Sequence, residues 1–186
     1  MANSQNGWPV YTSAPSGRCK WITGRVAPGD VETVFNYLGE RFNSEVEPIT
    51  VGHSWGWANR AIRGSSSTSN HASATAVDLN APKHPLGKSG TFSAAQVKKI
   101  QAILRDLGGA IRWGGNYSGR KDEMHFEVNT SKANLAKVAA SIRKGEKPKP
   151  VGGASGGGGS SFESATAKHS VGSRVKIGRA SCRERV

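Results

Sequence analysis

Two histidines and an aspartate are the residues in this chain whose types and order suit chemistry best. His71 and Asp78 stand in one segment, Ser69-Asn70-His71-Ala72-Ser73-Ala74-Thr75-Ala76-Val77-Asp78-Leu79-Asn80. His125 stands in a second, Lys121-Asp122-Glu123-Met124-His125-Phe126-Glu127. Two imidazoles and a carboxylate are a three-donor set for zinc, and a catalytic zinc keeps a fourth position open for water. Zinc lowers the pKa of that water to about 7, so hydroxide is at hand at neutral pH. The water still needs a proton acceptor, and two acids precede His125. On a regular strand an odd separation puts Asp122 on the face opposite His125, so Asp122 reaches the water only from a turn. Gly119-Arg120-Lys121 just upstream allows such a turn. Glu123, two residues before His125, shares its face, and spacing alone slightly favours it.

The elements that must hold these residues are short. Ala74 to Leu79, Ala110 to Trp113 and Met124 to Val128 read as strands, the first and last carrying the candidate ligands. A helix begins at Asp30, with Val31, Val34, Phe35, Leu38 and Phe42 on one face. Ser93-Ala94-Ala95-Gln96 is a capping box for a second helix. Its stripe is Val97, Ile100, Leu104 and Leu107, and Gly108-Gly109 ends it. A third helix runs from Ser131 through Leu135, Val138, Ala139 and Ile142. Helices mixed with short strands predict an α+β domain.

The order Ser-x-His-x-x-x-x-x-x-Asp, followed by Asp-x-x-His-Phe-Glu, resembles the VanY-like zinc D-Ala-D-Ala carboxypeptidases and L-Ala-D-Glu endopeptidases. Asn6-Gly7-Trp8-Pro9, Arg60 to Ser65, His84-Pro85-Leu86-Gly87, Thr91 to Val97 and Ile111 to Gly115 are similar to phage endolysins of that group, especially those of actinobacterial hosts. The resemblance covers roughly residues 6 to 130. It implies a small antiparallel sheet with flanking helices, the LAS or hedgehog-like metallopeptidase fold, and hydrolysis of bacterial cell-wall peptide. It makes His71, Asp78 and His125 the Zn2+ ligands and Asp122 the acid/base in preference to Glu123. Arg60 becomes the group that steadies the developing oxyanion, with Arg63 as alternative, and Ser69 orients the metal loop or the substrate. Glu127 either supports His125 or faces solvent. The family usually carries glycine where this chain has Ala74; if that position needs positive φ, alanine costs on the order of 1 kcal/mol. A D-Ala-D-Ala carboxypeptidase of wall remodelling and an inactive zinc-bearing wall-binding module are the alternatives.

Composition agrees with a wall-directed role. The chain has 186 residues, a net charge of +13 and a pI near 10.2, which favours polyanionic partners. No zinc-finger spacing, aromatic-basic RNA signature or basic zipper accompanies the charge, so a specific nucleic-acid reader is not expected. The expected partners are peptidoglycan and anionic wall polymers, met by a monomer. No apolar run is long enough to span a bilayer. The N-terminus lacks a secretory signal, which predicts residence in the host cytoplasm until another mechanism releases the protein to the cell wall. Two distant cysteines, Cys19 and Cys182, suggest no disulfide framework. Cys19 reads as a small buried hydrophobe.

The peptidase domain is expected over 1–144, and composition changes after it. A Pro-Lys piece and a Gly/Ser run make 145–161 a linker. Residues 162–176 are too few for a core of their own; Ser170 to Lys176 reads as the first strand of a truncated SH3-like wall-binding module. Residues 177–186, Ile177 to Val186, resemble a sequencing adapter translated in one frame. They hold three arginines and one glutamate, and without them the charge is +11.

Overall fold

The computed structural model describes residues 2–60 and 67–151, all within one compact unit. Arg63, His169, Cys182, the Ser170 to Lys176 strand and the adapter-like end lie outside the described residues. Three helices and a three-stranded sheet confirm the α+β expectation.

Helix α1 spans Asp30–Glu45 and buries Val31, Val34, Phe35, Leu38, Gly39 and Phe42, the stripe that the spacing predicts with Gly39 added. Its first turn is capped by Glu32, whose carboxylate accepts the Gly29 N–H at 3.4 Å. Helix α2, Ala94–Asp106, has the expected reciprocal box: Ser93 Oγ accepts from Gln96 N–H at 3.3 Å and Gln96 Oε1 from Ser93 N–H at 2.9 Å. It stops where Gly108 and Gly109 both take positive φ. Helix α3, Lys132–Arg143, is capped by Ser131 and buries Leu135, Val138 and Ala139.

Strands β1 (Ala76–Asp78), β2 (Ile111–Trp113) and β3 (His125–Val128) form an antiparallel sheet in the order β1-β3-β2. β1 is shorter than the sequence run that predicts it. Ala74 and Asn80 adopt φ of 56° and 48°, left-handed conformations that end the extended backbone on either side. The Ala74 value meets the condition set by the missing glycine. Asn80 is held there by its own side chain, whose Oδ1 accepts from Thr50 N–H and whose Nδ2 donates to Glu47 and to the Pro48 carbonyl.

Register divides the sheet. Cross-strand partners project to the same face, and Val77 pairs with Phe126, Phe126 with Trp113, and Val128 with Ile111. This face meets the helices. Phe126 packs edge-on against Phe42 at 5.7 Å between centroids, and Trp113 contacts Phe92 at 5.9 Å. Asp78 pairs with His125, and Glu127 with both Ala76 and Arg112, so the polar residues share the other face. An isolated bridge adds Trp55 beside Asp78 on that side.

Residues 145–151, the start of the expected linker, lie against the end of α2. Lys147 Nζ sits 2.6 Å from Asp106, Val151 N–H donates to the Gly108 carbonyl at 2.8 Å, and Pro148 is buried. No helix among the described residues is long and apolar enough to cross a membrane.

Candidate metal centre

His71, Asp78 and His125 converge, and all three are buried. The first comes from the turn before β1, the second from the end of β1, the third from the start of β3. His71 Nε2 lies 3.2 Å from His125 Nδ1 and 3.3 Å from Asp78 Oδ1, and His125 Nδ1 lies 2.9 Å from Asp78 Oδ1. Donors about 2.0–2.1 Å from a tetrahedral zinc are roughly 3.3 Å apart, so the triangle is of the size one face of such a site requires.

The other polar atom of each side chain is already committed. His71 Nδ1 lies 2.7 Å from the Gly56 carbonyl, which can only accept, so that nitrogen carries the proton and Nε2 presents its lone pair. His125 Nε2 faces Glu127 Oε2 at 3.1 Å, which leaves Nδ1 toward the centre. Asp78 Oδ2 accepts the Trp55 indole N–H at 2.9 Å, leaving Oδ1. Three lone pairs therefore point at one another in a buried place, an arrangement that repels itself unless a cation or a proton sits between them. Outer partners of this kind fix ring orientation and tautomer in metal sites. The donor set fits zinc.

Without the metal, protons do this work. Burial alone would lower the His125 imidazole, but the carboxylates of Asp78 and Glu127 on its two sides raise it to about 10. Burial works against both carboxylates, yet the histidines hold Asp78, and His125 with Arg112 hold Glu127, well below the usual range.

Glu127 is buried, which decides between the two roles expected of it. It accepts from His125 and Asn70 through Oε2, and from Arg112 Nε at 2.7 Å and Tyr117 Oη at 2.9 Å through Oε1. The Arg112 guanidinium also lies over the Tyr117 ring, 5.0 Å from its centroid.

The two acids before His125 have different surroundings. The Glu123 carboxylate is bound by the backbone N–H groups of Gly90 and Thr91, each at 2.8 Å, and by the Thr91 hydroxyl. Asp122 stands just ahead of the turn that leads into β3, and its Oδ1 is buried with no hydrogen-bond partner among the described residues. Burial pushes its carboxyl up to about 6, with Asp78 raising it further and His125, His71 and Arg120 opposing. Gly114 admits this segment: a Cβ there would stand 2.2 Å from the Asp122 carbonyl oxygen.

Ser69 is buried, and its Oγ accepts the His71 N–H at 3.2 Å, so it braces the turn that carries His71. Arg60 is exposed and its guanidinium has no ion pair among the described residues; its carbonyl accepts from Ser69 N–H at 3.3 Å, which ties it to the same turn. His84 is buried, stacked on Phe92 at 3.7 Å and bonded to Glu47 and Thr91. Cys19 is buried, and loss of solvent pushes its thiol up to about 11.

Sequence reasoning did not find Trp55, Gly56, Asn70, Arg112 or Tyr117 as parts of this centre. Only Asn70 adjoins a ligand in sequence, and that adjacency was its one available signal.

Residues 63–128 match a family model described as D-alanyl-D-alanine carboxypeptidase. The matched span holds His71, Asp78, Asp122, His125 and Glu127, and it supports the family resemblance carried by the motifs. No curated protein and no solved structure matches the chain.

Proposed function

We propose that the chain is a zinc peptidase that hydrolyses a peptide bond in the stem peptide or cross-link of bacterial peptidoglycan, acting as a phage endolysin. The observation that carries this reading is the convergence of His71 Nε2, Asp78 Oδ1 and His125 Nδ1, each with its second polar atom tied elsewhere. Zinc held by those three atoms would polarise the scissile carbonyl and bring the pKa of water to about 7.

The remaining work falls to side chains of the chain itself. Asp122 Oδ1, buried and unpartnered, takes the proton of the attacking water and returns it to the leaving amine. Its raised carboxyl makes the first transfer less uphill than a solvated aspartate would, and a value of about 6 leaves it acid enough for the second. Glu123 is unsuited to the task, because three donors already hold its carboxylate. Arg60, whose guanidinium has no ion pair among the described residues, steadies the charge that develops on the carbonyl oxygen; Arg63 is the alternative for that role. Ser69 keeps His71 in place through its backbone. A net charge of +13 draws the monomer to anionic wall polymers.

One observation favours a second reading: the matched family description names a carboxypeptidase. Purified peptidoglycan incubated with the zinc-loaded chain separates the two. An endopeptidase frees new amino termini within stem peptides or cross-links and clears the wall; a carboxypeptidase releases D-Ala alone and leaves the wall intact. Removing the metal by chelation should abolish either activity, and restoring zinc should recover it. Activity that survives complete chelation refutes both.

A further inference from the structure

Among the described residues only two large hydrophobic side chains are exposed, Val51 and Trp55. Trp55 is 39% exposed, and its position is no accident of the surface. Its backbone exchanges two hydrogen bonds with Asp78, at 3.0 and 2.8 Å, which makes the pair neighbours across the sheet. Asp78 pairs in turn with His125. Trp55, Asp78 and His125 therefore form a row on the polar face of the sheet, with the indole at the open end. The indole N–H holds Asp78 Oδ2 at 2.9 Å, while Oδ1 of the same carboxylate faces the metal position.

We propose that Trp55 is a substrate-binding residue whose exposed ring receives the small alkyl side chain flanking the scissile bond of the stem peptide. This rests on the peptidase reading. A tryptophan with its N–H satisfied offers the solvent side a flat apolar face with a negative quadrupole, suited to a methyl or short alkyl group and not to a carboxylate. Distance sets the register. The ring is one carboxylate away from the metal position, and a peptide advances about 3.3–3.6 Å per residue, so the group over the ring belongs to a residue next to the cleaved bond. The ring and the N–H have separable duties: the first contacts substrate, the second positions a metal ligand.

Two substitutions separate them. Trp55→Phe keeps an aromatic face and loses the donor. Trp55→Gln removes the ring and keeps an N–H. Both are made in a full-length Asp122→Asn background, so that ligand is bound without turnover, and both are checked for zinc stoichiometry. Calorimetric titration with soluble muropeptides at saturating zinc is the measurement. Trp55→Gln should weaken muropeptide binding at least ten-fold, and Trp55→Phe should stay within about two-fold of the parent. In a chelator competition, Trp55→Phe should hold zinc about ten-fold less tightly. Muropeptide affinity within two-fold of the parent for Trp55→Gln overturns the proposal, as does a parent that binds no muropeptide. Peptide-free glycan chains titrated in parallel should show no binding that depends on residue 55; if they do, the ring is a sugar platform and the proposal fails. An otherwise unsubstituted chain that cleaves nothing, while muropeptide binding still depends on Trp55, refutes the peptidase reading and leaves the substrate contact standing.

Discussion

Strand β3 has two faces that do unlike things within four residues. Phe126 and Val128 point into the helices and are wrapped by carbon; His125 and Glu127 point the other way and are wrapped by donors and acceptors. Both faces are buried, so exposure does not distinguish them. The distinction is in what a lost side chain leaves behind. On the apolar face a deletion leaves a void, whose cost depends on how far neighbours can collapse. On the polar face it leaves oriented charges and lone pairs without a partner, whose cost depends on what else can neutralise them.

The comparison is sharpest at the ligands. Asp78→Asn substitutes a neutral group for the one anionic ligand, and activity on peptidoglycan should fall about 10³-fold, since several kcal/mol of charge stabilisation depend on the metal. Zinc per chain, measured after dialysis, should fall with it; an active variant with a full complement of zinc would overturn the assignment of Asp78. On the opposite face, Phe126→Ala should destabilise the domain by about 3–5 kcal/mol in urea unfolding. The zinc that the folded fraction binds should keep its affinity; a fall in that affinity would mean that the two faces are not independent.

Glu127→Gln tests how specific the polar face is. Asn70, Arg112 and the His125 N–H all donate to Glu127, and Tyr117 joins them, so an amide cannot accept from both sides at once. Zinc affinity should drop about 10–100-fold in competition with a chelator, with secondary structure retained.

Acidity probes the same face without mutation. Asp78 and Glu127 are held below their ordinary values of 3.8 and 4.5, so their contribution to stability is present above about pH 4.5 and is lost as the pH falls. His125 is raised from 6.5 to about 10, so its contribution is complete below pH 6.5 and is lost as the pH climbs toward 10. Asp122, raised from 3.8 to about 6, subtracts from stability as the pH rises through that interval. Thermal melts of the metal-free chain should therefore be highest near pH 4.5, lose a little as Asp122 ionises up to about pH 6, and decline further above pH 6.5. Zinc competes with the His125 proton, so zinc affinity should rise with pH over the range where the melts decline. The smallest effect belongs to Ala74→Gly. Relief of the left-handed backbone offsets the loss of a buried methyl, and stability should change by less than about 1 kcal/mol.

Much of this was legible from local pattern. The stripe from Val31 to Phe42, the Ser93/Gln96 box and the Ser131 cap each declare a helix within a few residues of text. His71, Asp78 and His125 stood out because two imidazoles and a carboxylate make a zinc donor set and their order resembles a metallopeptidase motif. The choice between Asp122 and Glu123 was not legible from spacing, because it turns on whether Gly90 and Thr91 reach across to one of them. Trp55, Arg112 and Tyr117 were invisible for the same reason. Each meets the centre through a contact 10 to 23 residues away along the chain, and no periodicity records such a meeting.

The triangle of lone pairs has a consequence for metal supply. Two imidazoles and one carboxylate are borderline donors that grip copper or nickel at least as readily as zinc, because affinity in this series follows the metal more than the site. Nothing in the donor set turns those ions away. The ion that such a triangle would hold is then set by coordination geometry and by what the surroundings offer, and material recovered over a nickel resin would report the resin before it reported the cell.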